Sequence, residues 1–235
     1  MFLPKLGMDA VLELRDGSRY AVRSRTFDLS VINELAFTNP YLSGGQVAIA
    51  PDAIVVDIGA NIGDFAIQAA RLCPHGRVIA VEPLRSSGAM IATQARLNGL
   101  SNVSWIQAAM SGTEGQPAAL QGGALYLRDE DKEDQPRVLT LSGLMTEVGI
   151  ARIDLLKLDC EGAEWDILPG ADAVLPQVAQ ICMEYHREGE WTPERLADWL
   201  RARGFDVAVQ GKGWNGLLWA RRGGLLGNPA IMGVS

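Results

Sequence analysis

Five short apolar runs, all but the third followed directly by a helical stretch, constrain this chain more than any other feature of it. They are "AIVVDIG" from residue 53, "RVIAVEP" from 77, "NVSWIQAAM" from 102, "IDLLKLD" from 153 and "AQICMEY" from 179. Runs that are apolar at nearly every position suit strands buried on both faces, which in a sheet means helices packed above and below. Between them lie "IGDFAIQAARLC", residues 85–98 and residues 162–173, and "TPERLADWLRARG" follows the last, with Thr192 as cap and Pro193 at its first position. Alternating strands and helices predict a doubly wound, mostly parallel sheet with right-handed crossovers. "FDVAVQ" and "GLLWARR" bring the expected strands to seven; they lie too close together for a crossover, so they should form an antiparallel hairpin at the sheet edge.

Ahead of this sheet the pattern differs. "AVLEL" and "RYAVR" alternate around Asp16-Gly17 and read as a hairpin, and "TFDLSVINELAF" reads as a helix that Asp28 or Ser30 would cap. The expected division is an N-terminal hairpin and helix extension over residues 1–50, acting as a cap, a ligand-binding domain over 51–222 and a tail over 223–235. Residues 111–137 interrupt the rhythm with Gly and charge, as a loop that carries substrate contacts or as a solvated excursion.

Composition narrows the function. A net charge of −7 over 235 residues argues against a nucleic-acid binder. Cys73, Cys160 and Cys182 form no C-x-x-C pair, so neither a zinc knuckle nor a disulfide framework is expected. No stretch of about 18 apolar residues occurs, which predicts a cytoplasmic protein without a membrane partner. The partners left are a small-molecule acceptor and, at most, a second copy of the chain as a homodimer.

In a doubly wound sheet, ligands sit at the carboxyl ends of the strands. The first strand ends there in Asp57, Gly59, Ala60, Asn61 and Gly63, a spacing that is not the dinucleotide G-x-G-x-x-G. An acid beside the turn repels a pyrophosphate and suits a cationic or zwitterionic ligand. The second strand ends in Glu82-Pro83, where an acid accepts hydrogen bonds from ribose hydroxyls. A ribose-bearing, positively charged ligand without phosphate describes S-adenosylmethionine.

With these features on view, "VVDIGANIGDFA", "VIAVEP", "LTLSGL", "IDLLKLDCEGAEWDILPGA" and "ICMEYH" resemble the FkbM family of S-adenosylmethionine-dependent methyltransferases, over residues 10 to 190. The resemblance implies a class I, Rossmann-like methyltransferase fold and O-methylation of a hydroxyl, as in sugars and specialised metabolites. It also implies that Asp57, Gly59, Asn61 and Gly63 form the methionine-side loop and that Glu82 holds the ribose. Two departures stand out. Leu141 is followed by Ser142 where relatives commonly have T-L-D, and "QAAM" lacks an acid for the adenine amine, leaving Ala109 and Ser111 as adenine neighbours.

The chemistry is expected at the fourth and fifth strands. "KLDCEGAE" places Asp159 and Glu161 at the sheet edge and Glu164 one turn into a helix, while "MEYH" places Glu184 and His186 on one face. An alcohol must lose its proton during methylation. His186 leads as the base because an unperturbed histidine titrates near ~6.5. Asp159 and Glu184 follow, and Asp159 also serves as a ligand of the methionine amine. Glu161 and Trp191 are assigned to the acceptor, while Lys157, inside a buried strand, reads as structural. Magnesium held by Asp159, Glu161, Glu184 and His186 ranks below the metal-free reading. The alternatives are N- or carboxyl-methylation on the same fold and, further off, a nicotinamide-dependent oxidoreductase.

Overall fold

A computed structural model of the chain describes residues 8–115, 136–186, 192–211 and 213–223. The tail from 224, Trp191 and most of the 111–137 segment lie outside the described residues.

The hairpin comprises β1 (Met8–Glu13) and β2 (Arg19–Arg23), paired antiparallel, and α1 (Asp28–Phe37) follows. The main sheet then begins with β3 (Ile54–Ile58), α2 (Asp64–Leu72), β4 (Arg77–Val81), α3 (Arg85–Leu97) and β5 (Val103–Ile106). After the short β6 (Ala108–Met110) and β7 (Arg137–Leu139) come α4 (Leu141–Val148), β8 (Leu155–Leu158), α5 (Glu164–Gly170) and β9 (Gln180–His186). The chain closes with α6 (Pro193–Arg201), β10 (Asp206–Gln210) and β11 (Asn215–Arg221). Strand order in the seven-stranded sheet is β10-β11-β9-β8-β3-β4-β5, parallel except for β11, which runs antiparallel to both its neighbours. The doubly wound, mostly parallel sheet expected from the apolar runs is the observed one.

The two-residue period of the pleat explains why the strands carry apolar residues throughout. Val56 and Ile58 of β3, Leu156 of β8 and Ile181 of β9 join the core on one face with α4, α5 and α6 residues such as Leu144, Ile167 and Leu196. Val55, Leu155 and Cys182 enter the core on the other face against Phe65, Ala66 and Ala69 of α2. A third cluster joins the hairpin and α1 to α2 and α3 through Tyr20, Ile32, Ile67 and Met90. The N-terminal extension is therefore packed onto the sheet's helices, and α1 reaches the carboxyl edge of the sheet. Among the described residues no helix is long and apolar enough to cross a membrane.

Two local expectations change. "NVSWIQAAM" is not one strand: after Ile106 the chain leaves the main sheet, Gln107 Nε2 donates to Pro83 O at 3.3 Å, and β6 pairs with β7 in a separate parallel pair. Asp28 does not cap α1. Its carboxylate is buried and takes hydrogen bonds from Arg23 Nε at 2.8 Å, Arg23 Nη2 at 2.8 Å and the Arg23 amide at 2.9 Å, while Arg23 Nη1 donates to Ser86 O at 2.9 Å. An acid that completes a buried guanidinium pair contributes more there than at an exposed helix start.

Removing one partner of that pair leaves a buried charge uncompensated. Asp28→Ala is expected to destabilise the protein by about 3–5 kcal/mol, read from the urea denaturation midpoint, and a loss under about 1 kcal/mol would show that the pair does not anchor the extension.

Candidate active site

The loop after β3 is held by the end of β4. Gly59 and Ala60 both donate their amides to Val81 O at 3.1 Å, and the Asn61 amide donates to Glu82 Oε2 at 2.9 Å. Glu82 Oε1 accepts from the Leu84 amide at 2.9 Å. Both carboxylate oxygens are thus fixed by backbone, and each keeps lone-pair capacity for a ligand hydroxyl. Asn61 adopts a left-handed conformation, φ 46°. Gly59, at φ 73°, has no room for a side chain: a Cβ there would lie 1.8 Å from the Asp159 carbonyl oxygen. Close approach of the β3 and β8 loops, not of a ligand, is what demands glycine at this position.

Beneath the loop lies a buried ion pair. Asp57 and Lys157 are register partners on β3 and β8 and project into the α2-side core, where Lys157 Nζ sits 3.1 Å from Asp57 Oδ1. The same ammonium donates to Gly59 O at 3.0 Å and lies 3.8 Å from Asp159 Oδ2 and 5.2 Å from the centre of the Tyr41 ring. Tyr41 Oη in turn donates to Asp159 Oδ2 at 2.8 Å. Burial alone would lower the Lys157 pKa; Asp57, Asp159 and Asp64 outweigh it and hold the ammonium charged.

At the carboxyl ends of β8 and β9 the remaining acids gather around His186. Its Nδ1 lies 3.4 Å from Glu164 Oε1 and its Nε2 3.6 Å from Glu161 Oε2. Burial would lower the imidazole pKa, but Glu164, Asp159 and Glu161 push it up to about 9. In the ligand-free protein it is therefore an imidazolium at neutral pH, already holding the proton that a base would have to accept. Glu184, half-buried and beside Asp159, is raised to about 7 by that burial and charge, with His186 and the Asn215 amide partly offsetting the shift. Glu164 is fully buried and turns back to accept from the Cys160 amide at 2.7 Å and the Gly162 amide at 2.9 Å, closing the first turn of α5.

A cavity of about 460 Å³ opens over these groups. Of the residues the sequence assigns to cofactor and chemistry, Gly59, Asn61, Glu82, Pro83, Ala109, Asp159, Glu161, Glu184 and His186 line it. Asp57, Ala60 and Gly63 do not: Asp57 is wholly buried one layer below, bound to Lys157, and the other two are packed inside the loop. Trp191 lies outside the described residues. Ser111 donates to Asp166 Oδ2 at 2.7 Å and is not among the lining residues.

The sequence reading missed Asp64, Tyr41 and Glu34. Asp64, the first residue of α2, faces the cavity, where burial raises its pKa to about 7 despite Lys157. It follows Gly63 directly in the quoted motif, so its position beside a helix N-terminus was the available signal. Tyr41 and Glu34 come from the N-terminal extension, and nothing local in their sequence marks them. Six lining carboxylates (Glu34, Asp64, Glu82, Asp159, Glu161 and Glu184) face one ammonium, Lys157, and one imidazole, His186.

An open parallel sheet with its ligand cavity at the carboxyl edge and an antiparallel strand inserted beside the last edge strand defines the class I methyltransferase architecture. The methyltransferase FkbM domain matches residues 57–207, and the chain belongs to that family of methyltransferases. Among curated relatives, the AMB antimetabolite synthetase AmbE of Pseudomonas aeruginosa is 30% identical over 85% of this chain, which spans 12% of that protein's length. The 31-O-demethyl-FK506 methyltransferase FkbM of Streptomyces tacrolimicus is 31% identical over 72% of this chain and 78% of its own. The crystal structure of methyltransferase FkbM from Methylobacillus flagellatus superposes with a TM-score of 0.57 at 17% identity, covering 77% of this chain and 47% of that one.

Two outcomes follow from the buried charges. Lys157→Met leaves Asp57 uncompensated and should cost about 3–5 kcal/mol, whereas Lys157→Met combined with Asp57→Leu should recover most of that loss. A double variant no more stable than the single one would show that the pair is not the source of the cost. The second concerns pH. Asp64 and Glu82 both have folded pKa values of about 7, above their ordinary values, through burial. Their stabilising contribution is therefore complete below about pH 4 and lost as pH rises through about 7. The melting temperature of the ligand-free protein should fall across that interval, with a shallower fall in Glu82→Gln; a rise would show that these acids ionise normally.

Proposed function

We propose that this FkbM methyltransferase uses S-adenosylmethionine to methylate a hydroxyl oxygen of a small molecule. The observation that carries the reading is one cavity lined both by the Gly59–Asn61 loop with Glu82 and by Asp159, Glu184 and His186. The residues fit the cofactor. Its ammonium and sulfonium answer an excess of carboxylates, and Glu82 has free lone pairs for ribose hydroxyls. Asp64 and Asp159 hold the methionine end, and Ala109 borders the adenine end. When bound, the cofactor supplies an electrophilic methyl group.

The chain's own residues orient the acceptor and take its proton. With His186 held as an imidazolium, proton acceptance falls to the carboxylate edge, and Glu184, titrating near neutral pH, is better matched to that task than His186. Oxygen as the acceptor atom is supported by the name of the Streptomyces relative, which acts on a 31-O-demethyl compound. The N-terminal extension closes the cavity with Glu34 and Tyr41, so it takes part in binding.

Calorimetry should give saturable binding of S-adenosylmethionine and none of NAD, with Glu82→Gln weakening the former at least about tenfold through loss of a charged acceptor. Transfer of labelled methyl to a panel of sugars and polyketide alcohols should yield an ether label that survives alkaline hydrolysis. Label released as methanol would identify a carboxyl-methyltransferase instead, and binding of NAD in place of S-adenosylmethionine would overturn the reading.

A further inference from the structure

Asp159, after β8, and Glu184 and His186, at the end of β9, each offer one ligand atom such that all three atoms lie within 4.8 Å of one another. Two hard carboxylate oxygens with one imidazole nitrogen form a mixed donor set, unlike the purely acidic patches common on protein surfaces. Two of the three also have an outer hydrogen-bond partner, and the third has a carboxylate beside its ring. Tyr41 Oη donates to one oxygen of Asp159 at 2.8 Å, and Asn215 Nδ2 donates to one oxygen of Glu184 at 2.6 Å, leaving the other oxygen of each to a ligand. Glu164, fully buried and locked by two backbone amides, sits 3.4 Å from His186 Nδ1. A carboxylate behind one ring nitrogen sets the tautomer of a metal-binding histidine and turns Nε2 towards the ion.

From this geometry we propose that Asp159, Glu184 and His186 bind a divalent cation of the magnesium or manganese class. Glu161, grouped with these three on sequence alone, falls outside the set, although it lies 3.6 Å from His186 Nε2. Three protein ligands leave an octahedral ion with positions for water and for the oxygen of an acceptor hydroxyl. An ion there neutralises the cluster, holds that oxygen and eases release of its proton; with Glu184 ligating the ion, the proton passes to solvent in place of Glu184. The proposal deepens the methyl-transfer reading and rests on it for the ion's purpose, but ion binding itself stands apart from cofactor binding.

The test uses the full chain, treated with chelator and titrated with Mn2+ alone, with the unbound ion followed by electron paramagnetic resonance. One ion per chain should bind with a dissociation constant below about 1 mM. Glu184→Gln and His186→Gln should each weaken binding at least about tenfold, while Glu147→Gln, an exposed change elsewhere, leaves it as it was. Bound Mn2+ in the unmodified protein should show a nitrogen coupling from an imidazole, a readout that does not depend on any variant folding. Absence of saturable binding, absence of that coupling, or binding unchanged in both site variants overturns the proposal. Calorimetry with S-adenosylmethionine on the same chelator-treated protein separates the two readings. Cofactor binding without Mn2+ binding removes the ion site alone, and Mn2+ binding without cofactor binding removes the methyl-transfer reading while leaving the ion site.

Discussion

One ammonium group in the middle of the sheet organises everything at its carboxyl edge. Lys157 sits in β8 with almost no exposure, where an isolated charge would not be tolerated. It is tolerated because the strand pairing sets Asp57 beside it, because the loop after β3 turns its Gly59 carbonyl onto it, and because Asp159 approaches from its own strand end. The same contacts tie three separate segments to one point. Tyr41 then carries the arrangement outwards: its hydroxyl holds Asp159, its ring edges against Phe65 at 5.6 Å between centroids, and its carbonyl accepts from Trp219 Nε1 at 2.9 Å. The N-terminal extension is therefore part of the site's frame.

Charge balance sets the character of the cavity above that point. Lys157 is largely spent on Asp57 and the loop, so among the described residues the remaining acids face one another with His186 as the one other basic group. Burial raises the pKa values of Asp64, Glu82 and Glu184, while Glu164, Asp159 and Glu161 raise that of His186 against its burial. A ligand bearing an ammonium and a sulfonium relieves part of this excess.

The motifs were legible unevenly, and the unevenness has a physical cause. Glu82 could be placed from sequence because an acid immediately after a buried strand has only the carboxyl edge to occupy. Asp57 looked equally exposed to a ligand, yet it ends below the cavity. It shares its pleat face with Val55, and that face is covered by α2. Asp64, seven residues on, takes the cavity position instead, because the loop turns it back over the strand end. His186 was correctly placed on the strand edge, but its protonation depends on Glu161, Glu164 and Asp159, whose distances no spacing rule supplies. Gly59 permits two loops to touch, a demand that its place in the motif does not show.

By itself the sequence determined the order of strands and helices, the parallel sheet with its antiparallel closing hairpin, and the edge of that sheet on which the ligand groups gather. These rest on the two-residue and 3.6-residue periods and on the short connections, all of which are local. Only the tertiary structure decided which acids face the cavity and which are sealed beneath it, where β6 leaves the sheet, that the N-terminal extension supplies Tyr41 and Glu34, and which groups are charged. Those depend on pleat faces meeting particular helices and on groups far apart in the chain, such as Tyr41 and Asp159, 118 positions apart. No local pattern carries such pairings.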